Sequence, residues 1–360
     1  MENKLENKKR KSWKIIYRQL LVAAGASLFL TGCGAANIRQ QSAVDTAMGT
    51  IVSQTLYVRQ EGEQTESESA AVMRILTKLE EQELSWRIAD SEVAQINALA
   101  ACEPEESLVT VPISPSMREI LAQIWQISSD SQGALDVTLG RLSRLWNLDG
   151  AAAEDTVFSI PGEEQIQSAM RDIGYERVQL TGETLELPQG VQLDLGAVGK
   201  GIACDRVSGY LRDSSRITGA VVAVGGSVVT YGQKPDGSPW KVAIMHPREE
   251  GNYLGVLTLK GEHYISTSGD YERYVTVDGV RYHHILDPAT GAPARSGLCS
   301  VTIVCDSGLQ ADALSTACFV LGPEQGLALA QSYGAEALLV EEDGTMYMTE
   351  GMEDIFSENP

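Results

Sequence analysis

Several catalytic signatures are missing from these 360 residues. There is no Gly-x-Ser-x-Gly elbow, no His-Glu-x-x-His helix and no Gly-x-Gly-x-x-Gly turn. Serine hydrolase, zincin and ordinary dinucleotide dehydrogenase therefore lack support. None of the six cysteines forms a Cys-x-x-Cys pair, so neither a zinc ribbon nor a thioredoxin-type centre is present. Positive charge is in deficit. A formal net charge of −21 argues against nucleic acid as a partner and against a basic membrane-binding face. Asp and Glu are scattered, as on a solvated surface. No internal repeat occurs, and the apolar run Leu20 to Leu30 is too short to span a bilayer comfortably.

What surrounds that run is informative. Lys4, Lys8, Lys9, Arg10, Lys11 and Lys14 precede it, and Leu30-Thr31-Gly32-Cys33 follows it. Basic, apolar and small-residue zones in that order resemble a bacterial lipoprotein signal over residues 1–32, with Cys33 lipidated as the new N-terminus. A plain secretory signal, an uncleaved anchor and a nuclear address in Lys-Lys-Arg-Lys are the competing readings. An acylated Cys33 would hold the protein to the outer, extracytoplasmic face of a bacterial cell membrane. Residues 33–45 then read as a polar tether, 46–350 as the folded unit and 351–360 as a tail. Cys102, Cys204, Cys299, Cys305 and Cys318 remain, an odd number without framework spacing. They read as buried free thiols, with a Cys299–Cys305 bridge left open.

The periodicity predicts an α+β chain. Residues 61–69 read as a polar loop or a helix start. Val72, Ile75, Leu76 and Leu79 keep helical spacing, as do Met117, Ile120, Leu121 and Ile124. Residues 147–163 read as a surface loop, followed by a helix carrying Ile166, Met170 and Ile173. Asp194 to Leu211 reads as a strand end, a glycine turn and a helix. Strands are expected over 218–231, 240–246, 254–260 and 262–267. Asp278-Gly279 marks a hairpin within 275–285. Helices over 310–321 and 323–333 and a hairpin at Asp343-Gly344 close the chain. The whole reads as a single compact unit of two packed lobes.

Two neighbouring stretches carry chemistry. In YHHILDPATGAP, residues 282–293, an extended strand would place Tyr282 and His284 on one side and Arg281 and His283 on the other. Only one histidine would face a shared site. Asp287-Pro288 ends the strand. In ADALSTA, residues 311–317, Asp312 and Thr316 lie one helical step apart and would project from one face. Such oxygens suit a hard cation like Mg²⁺. The bland alternatives are a helix cap for Asp312 and a bond to the preceding turn for Thr316. DLGAVGKG, from Asp194, delivers Lys200 at a helix N-terminus, where backbone amides approach an anion, although the spacing is not a Walker A loop. STSGDYERY, from Ser266, reads as a hydroxyl-rich turn before the hairpin.

Taken in order, MGT at Met48, SEVAQIN at Ser91, GALDVT at Gly133, DLGAVGKG, the glycine pair at Gly225, WKVAIMHP at Trp240, STSGDYERY, HHILDPATGAP and ADALSTACFVLG resemble the ApbE family of flavin transferases. The resemblance spans roughly residues 48–322 and implies a T-fold-related arrangement of mixed sheets and helices. It implies transfer of FMN from FAD to a threonine hydroxyl on an exported or membrane redox protein, with Mg²⁺ required and AMP released. By the same resemblance Asp312, Thr316 and the carbonyl of Ala197 would bind the metal. Met48, Trp86, Ala134, Leu135, Asp136, Asp194, Lys200 and Leu286 would contact FAD. His284 would sit near the pyrophosphate and, with Asp312, serve catalysis. Arg141 and Ser227 stand where the family more often has proline and asparagine. FAD hydrolysis to FMN and AMP, and flavin binding without turnover, are the alternative activities.

Overall fold

The computed structural model describes residues 38–60, 67–102, 108–148 and 158–359. The signal peptide, Cys33, residues 61–66 and residues 149–157 of the expected loop lie outside them. Strand β1 (Ile38–Ala47) pairs antiparallel with β2 (Thr50–Arg59) across a Met48-Gly49 turn, both turn residues having positive φ. The expected tether over 33–45 is thereby corrected, since strand begins at Ile38. β1 is the outermost strand of its sheet and buries only Ala47. A two-sided polar edge strand carries no apolar alternation to reveal it.

Helix α1 (Glu68–Leu79) starts at Ser67, whose hydroxyl accepts from the amide of Ala70, and continues into a π-helical turn at Glu80–Leu84. Then come α2 (Glu92–Cys102), β3 (Leu108–Pro112), α3 (Pro115–Asp130), α4 (Gly140–Trp146) and α5 (Glu163–Met170). β4 (Gln179–Thr181) and β5 (Thr184–Pro188) join β3 in a small antiparallel sheet. The glycine turn after Asp194 leads into α6 (Gly199–Asp213).

Beyond α6 the chain is largely β. It forms β6 (Ile217–Val224), β7 (Ser227–Gly232), β8 (Trp240–Met245), β9 (Tyr253–Leu259) and β10 (His263–Gly269). The expected strand 218–231 is split by the Gly225-Gly226 turn. β11 (Tyr274–Val277) and β12 (Val280–His283) make the expected hairpin, with Asp278 and Gly279 both at positive φ as a primed turn requires. β13 (Leu286–Asp287), β14 (Ala292–Pro293), β15 (Leu298–Cys305), α7 (Gly308–Leu321), α8 (Pro323–Ser332), β16 (Glu336–Glu341) and β17 (Met346–Met348) follow. The expected tail over 351–360 is also corrected. It holds most of α9 (Glu350–Ile355) and all of β18 (Phe356–Glu358), which pairs with β9. Met352 is buried, and Phe356 packs over Gly255, which has no side chain to obstruct the ring.

Eight strands in the order β1-β2-β6-β7-β10-β15-β16-β17 form one antiparallel sheet. On β6, Ala220, Val222 and Val224 face the helices, while Val221 and Ala223 face the β18-β9-β8 sheet. Helices cover one face of the large sheet, and Trp240, Ile244, Leu257 and Leu259 cover the other. This is the α+β architecture that the periodicity implied. Cys204, Cys299, Cys305 and Cys318 are free thiols. Cys299 and Cys305 lie about 20 Å apart along one strand, beyond disulfide reach.

Helices α6 and α7 cross at their first turns. A Cβ on Gly201 would lie 2.0 Å from the carbonyl oxygen of Gly308, and one on Gly308 would lie 2.2 Å from that of Gly201. Backbone fills both places, so neither can move aside cheaply. Gly201→Ala should lower unfolding stability by about 3 kcal/mol, read as a shifted urea midpoint. Gly209→Ala, on the same helix with nothing within 4 Å of the new methyl, should be neutral or stabilise by about 0.5–1 kcal/mol. Equal midpoints for the two variants would sink this account of the crossing.

Candidate active site

The crossing brings distant stretches of chain together. Lys200, in the first turn of α6, places Nζ 3.6 Å from Asp312 Oδ1. Asp312 is 1% exposed and well supplied with donors. Oδ2 accepts from the Gly201 amide at 2.9 Å, and Oδ1 accepts from Ser266 Oγ at 2.6 Å and Ser227 Oγ at 3.2 Å. The N-cap of α7 is Ser307, so Asp312 does not cap its own helix. It caps α6 instead, where a carboxylate meets the positive end of the dipole. Thr316 turns its hydroxyl toward Ser268 on β10. Ser315 bonds back to the preceding turn, donating to the carbonyl of Asp312 at 2.9 Å.

Strand β10 supplies the matching hydroxyls. Ser268 Oγ is 3.3 Å from Thr316 Oγ1 and 2.8 Å from Ser315 Oγ. Two residues along a strand advance about 6.8 Å, and four along a helix about 6 Å. Ser266 and Ser268 therefore stand in register with Asp312 and Thr316. Nothing in the turn reading of STSGDYERY anticipated them, although Ser-x-Ser at period two was the available signal.

Over this framework opens a cleft of about 1450 Å³, counting the solvent at its open mouth. Asp194, Ala197, Lys200 and Thr316 line its helical side; Ala134, Leu135 and Asp136 line another. Met48, Glu80, Trp86 and Arg87 approach from the α1 side, and Ser268, Glu272, His284 and Leu286 from β10 to β13. The eleven lining residues singled out in the sequence thus meet in one cleft, with Asp312 one layer beneath it, below Lys200.

Local bonds fix the lining. Met48, at φ 56°, donates its amide to Glu80 Oε2 at 2.7 Å. Asp136 Oδ1 accepts from the Thr138 amide at 2.8 Å and its hydroxyl at 2.6 Å, and Oδ2 accepts from the Tyr175 amide at 3.0 Å. Burial raises the Asp136 pKa above the ordinary carboxylate value, with these bonds opposing. Asp194 Oδ1 accepts from the Gly196 amide at 2.9 Å and holds the glycine turn. The Trp86 ring has the guanidinium carbons of Arg87 and Arg144 4.1 and 4.9 Å from its centroid. Glu272, which sequence reasoning missed, lines the cleft together with Lys200 and Arg273. At the positions unusual for the family, Ser227 bonds Ser266 and Asp312, and Arg141 pairs with Asp172.

The two histidines face different surroundings. His283 is 2% exposed, 2.9 Å through Nε2 from the carbonyl of Ala294 and edge-on to Phe319 at 5.5 Å. His284 lines the cleft. Among the described residues no cluster of three or more His, Cys, Asp or Glu could hold a metal ion. A cation here would meet one carboxylate with hydroxyl and carbonyl oxygens, a set for a hard ion that keeps water or phosphate ligands.

A large antiparallel sheet under crossing helices, with a cleft that carries Lys200 at a helix N-terminus beside the Ser268 and Thr316 hydroxyls, fits a binder of an extended anionic ligand such as a nucleotide. Sequence comparison narrows that class, because the chain belongs to the ApbE family, whose model matches residues 48–339. It is 32% identical over 326 residues to the FAD:protein FMN transferase of Vibrio cholerae, covering 90% of this chain and 93% of that protein. The apo flavinyl transferase ApbE of Pseudomonas stutzeri superposes with a TM-score of 0.75 at 34% identity, over 90% of this chain and 98% of that one. The ApbE protein of Thermotoga maritima gives 0.78 at 31% identity, over 89% and 100%.

Burial lowers the His283 pKa below its ordinary value of 6.5. The unfolded chain therefore binds the proton first as pH falls, and folding stability drops below about pH 6.5 until the folded-state pKa is passed. His283→Asn should flatten the slope of stability against pH in that window, measured by urea unfolding from pH 7.5 to 5. An unchanged slope would show that His283 contributes nothing to it.

Proposed function

We propose that this chain transfers FMN from FAD to a protein acceptor and releases AMP. The observation that carries the reading is the convergence of Lys200, Thr316, His284 and the buried Asp312 on one cleft. The names borne by its relatives support the same reaction. The acceptor group we propose is a threonine hydroxyl on an exported or membrane redox protein. Its oxygen bonds to the FMN-side phosphorus, the bond from that phosphorus to the bridging oxygen breaks, and AMP departs with that oxygen. Positioning and charge do most of the work in such a transfer.

Each part of the cleft has a task in this scheme. The α6 N-terminus and Lys200 receive the diphosphate. Met48, Trp86, Ala134, Leu135, Asp136, Asp194 and Leu286 hold the rest of FAD. His284 takes the proton from the attacking hydroxyl. Ala197, Asp312 and Thr316 would hold Mg²⁺, whose chemistry when bound is to neutralise charge on the diphosphate and on AMP. The donor set fits, because Asp312 already faces one cation, Lys200, with neutral oxygens beside it. We further propose that residues 1–32 are removed and that a lipidated Cys33 anchors the chain outside a bacterial membrane. Among the described residues no helix is long and apolar enough to cross one. Strand β1 starts five residues after Cys33, which would seat the β1–β2 hairpin close to the lipid surface.

Incubating the chain with FAD, Mg²⁺ and a candidate acceptor domain tests the reaction. Flavin fluorescence on the denatured acceptor means transfer, free FMN with AMP means hydrolysis, and unchanged FAD means binding alone. Asp312→Ala should abolish transfer, and His284→Ala should slow it about 10²- to 10⁴-fold. Full activity in Asp312→Ala would remove the metal assignment. For the anchor, Cys33→Ala should release the chain from the membrane fraction and end incorporation of an alkyne-labelled fatty acid. Labelling that persists in this variant would place the lipid elsewhere.

A further inference from the structure

Behind one wall of the cleft lies a second groove. It runs between Gly49-Thr50-Ile51 and strand β8, over the Gly225-Gly226 turn. Lys200, Thr267, Glu272 and Arg273 line both the cleft and the groove, and so form the partition between them. The two glycines keep that partition thin. A Cβ on Gly225 would lie 2.7 Å from Thr50 Oγ1, and one on Gly226 would lie 2.9 Å from both Glu272 Oε1 and the carbonyl of Thr267.

The outer wall has a different character. Ile51 is 38% exposed and Met245 50%, with Val242 and Ile244 beside them in the groove. Strand β8 is the outer strand of the β18-β9-β8 sheet, and its one ladder among the described residues runs to β9. An open strand edge beside an apolar trough suits an extended peptide, which adds main-chain hydrogen bonds and seats alternate side chains.

We propose that this groove docks the acceptor, an extended segment of the target protein that lies along β8 with its threonine pointed at the partition. The proposal rests on the transfer reading above. A hydroxyl held in the groove against the shared wall would approach a diphosphate in the cleft from the side away from the cleft's mouth. The groove shares four residues with the cleft, and one of them, Lys200, lies over Asp312. The outer wall offers no charge, so small or apolar residues should flank the threonine. Period-two geometry points the threonine and the residues two positions away from it toward the partition.

Met245→Asp should raise the KM for the acceptor about tenfold or more while leaving kcat nearly unchanged, the pattern of lost uniform binding. FAD affinity, read by flavin fluorescence, should not change, since Met245 does not line the cleft. A photo-crosslinking residue at Ala243, which is exposed, should form an adduct within the acceptor segment that carries the threonine. This second measurement leaves the groove wall unaltered in charge. An unchanged KM, or an adduct mapping elsewhere on the acceptor, overturns the assignment. If the unmodified chain transfers no FMN to any acceptor, the transfer reading falls and this one with it. If it transfers normally and Met245→Asp behaves like the parent, the groove assignment alone falls.

Discussion

The backbone crossing of α6 and α7 at Gly201 and Gly308 is the constraint on which the site depends. It sets two helix N-termini against each other, an arrangement that macrodipoles oppose. Two carboxylates resolve it reciprocally. Asp312 of α7 accepts from the Gly201 amide of α6, and Asp205 of α6 accepts from the Gly308 and Leu309 amides of α7 at 2.7 and 2.8 Å. Burial raises the Asp205 pKa despite these bonds, so the exchange is made in a poorly solvated place. Any side chain at either glycine would separate the helices and part Lys200 from Asp312. The geometry that joins cation to carboxylate is thus a consequence of two missing Cβ atoms.

A band of hydroxyls through the middle of the large sheet then fixes the strands against those helices. Ser227, Ser266, Ser268 and Thr302 are buried in a sheet whose other buried positions are mostly Val, Ile, Leu and Ala. An unpartnered buried hydroxyl costs about 1–3 kcal/mol, and these are partnered. Ser266 and Ser227 serve Asp312, Ser268 meets Ser315 and Thr316, and Thr267 meets Thr302 at 2.9 Å. Slipping β10 by one residue would turn Thr267 toward Asp312 and drive both serines to the opposite face. The polar band therefore specifies register, and the register delivers Thr316 to the cleft wall.

How much of this was legible in the chain depended on whether a feature repeats locally. The Asp278-Gly279 hairpin and the helices at 68–79, 115–130 and 308–321 carry complete local signals, and each formed over the residues that carried its pattern. β1 and β18 gave none, because one is an edge strand solvated on both faces and the other pairs with β9 about a hundred residues earlier. The paired histidines were separable by strand period alone, although β12 ends at His283 and not at Ile285. Asp312 illustrates the limit. Helical spacing set it beside Thr316, but its bonds run to Gly201, Ser227 and Ser266, all distant in sequence. Glu272 escaped for the same reason, since the cleft it lines is assembled from separate segments.

One apparent contradiction remains between a chain of net charge −21 and a cleft suited to an anionic dinucleotide. Distance decides it. At physiological ionic strength the Debye length is about 8 Å, so most surface carboxylates are screened from a ligand in the cleft. What the ligand meets is local. Lys200, Arg87 and Arg273 line the cleft, and its own acids are largely engaged by the protein. Glu80 accepts from Met48, Asp194 from Gly196, and Asp136 from Thr138 and Tyr175, while burial biases Asp136 toward its neutral form. The acidic residues here work as internal acceptors that shape the loops. Backbone amides fix where these carboxylates point, and Lys200 with the α6 N-terminus presents the donors that a diphosphate would meet.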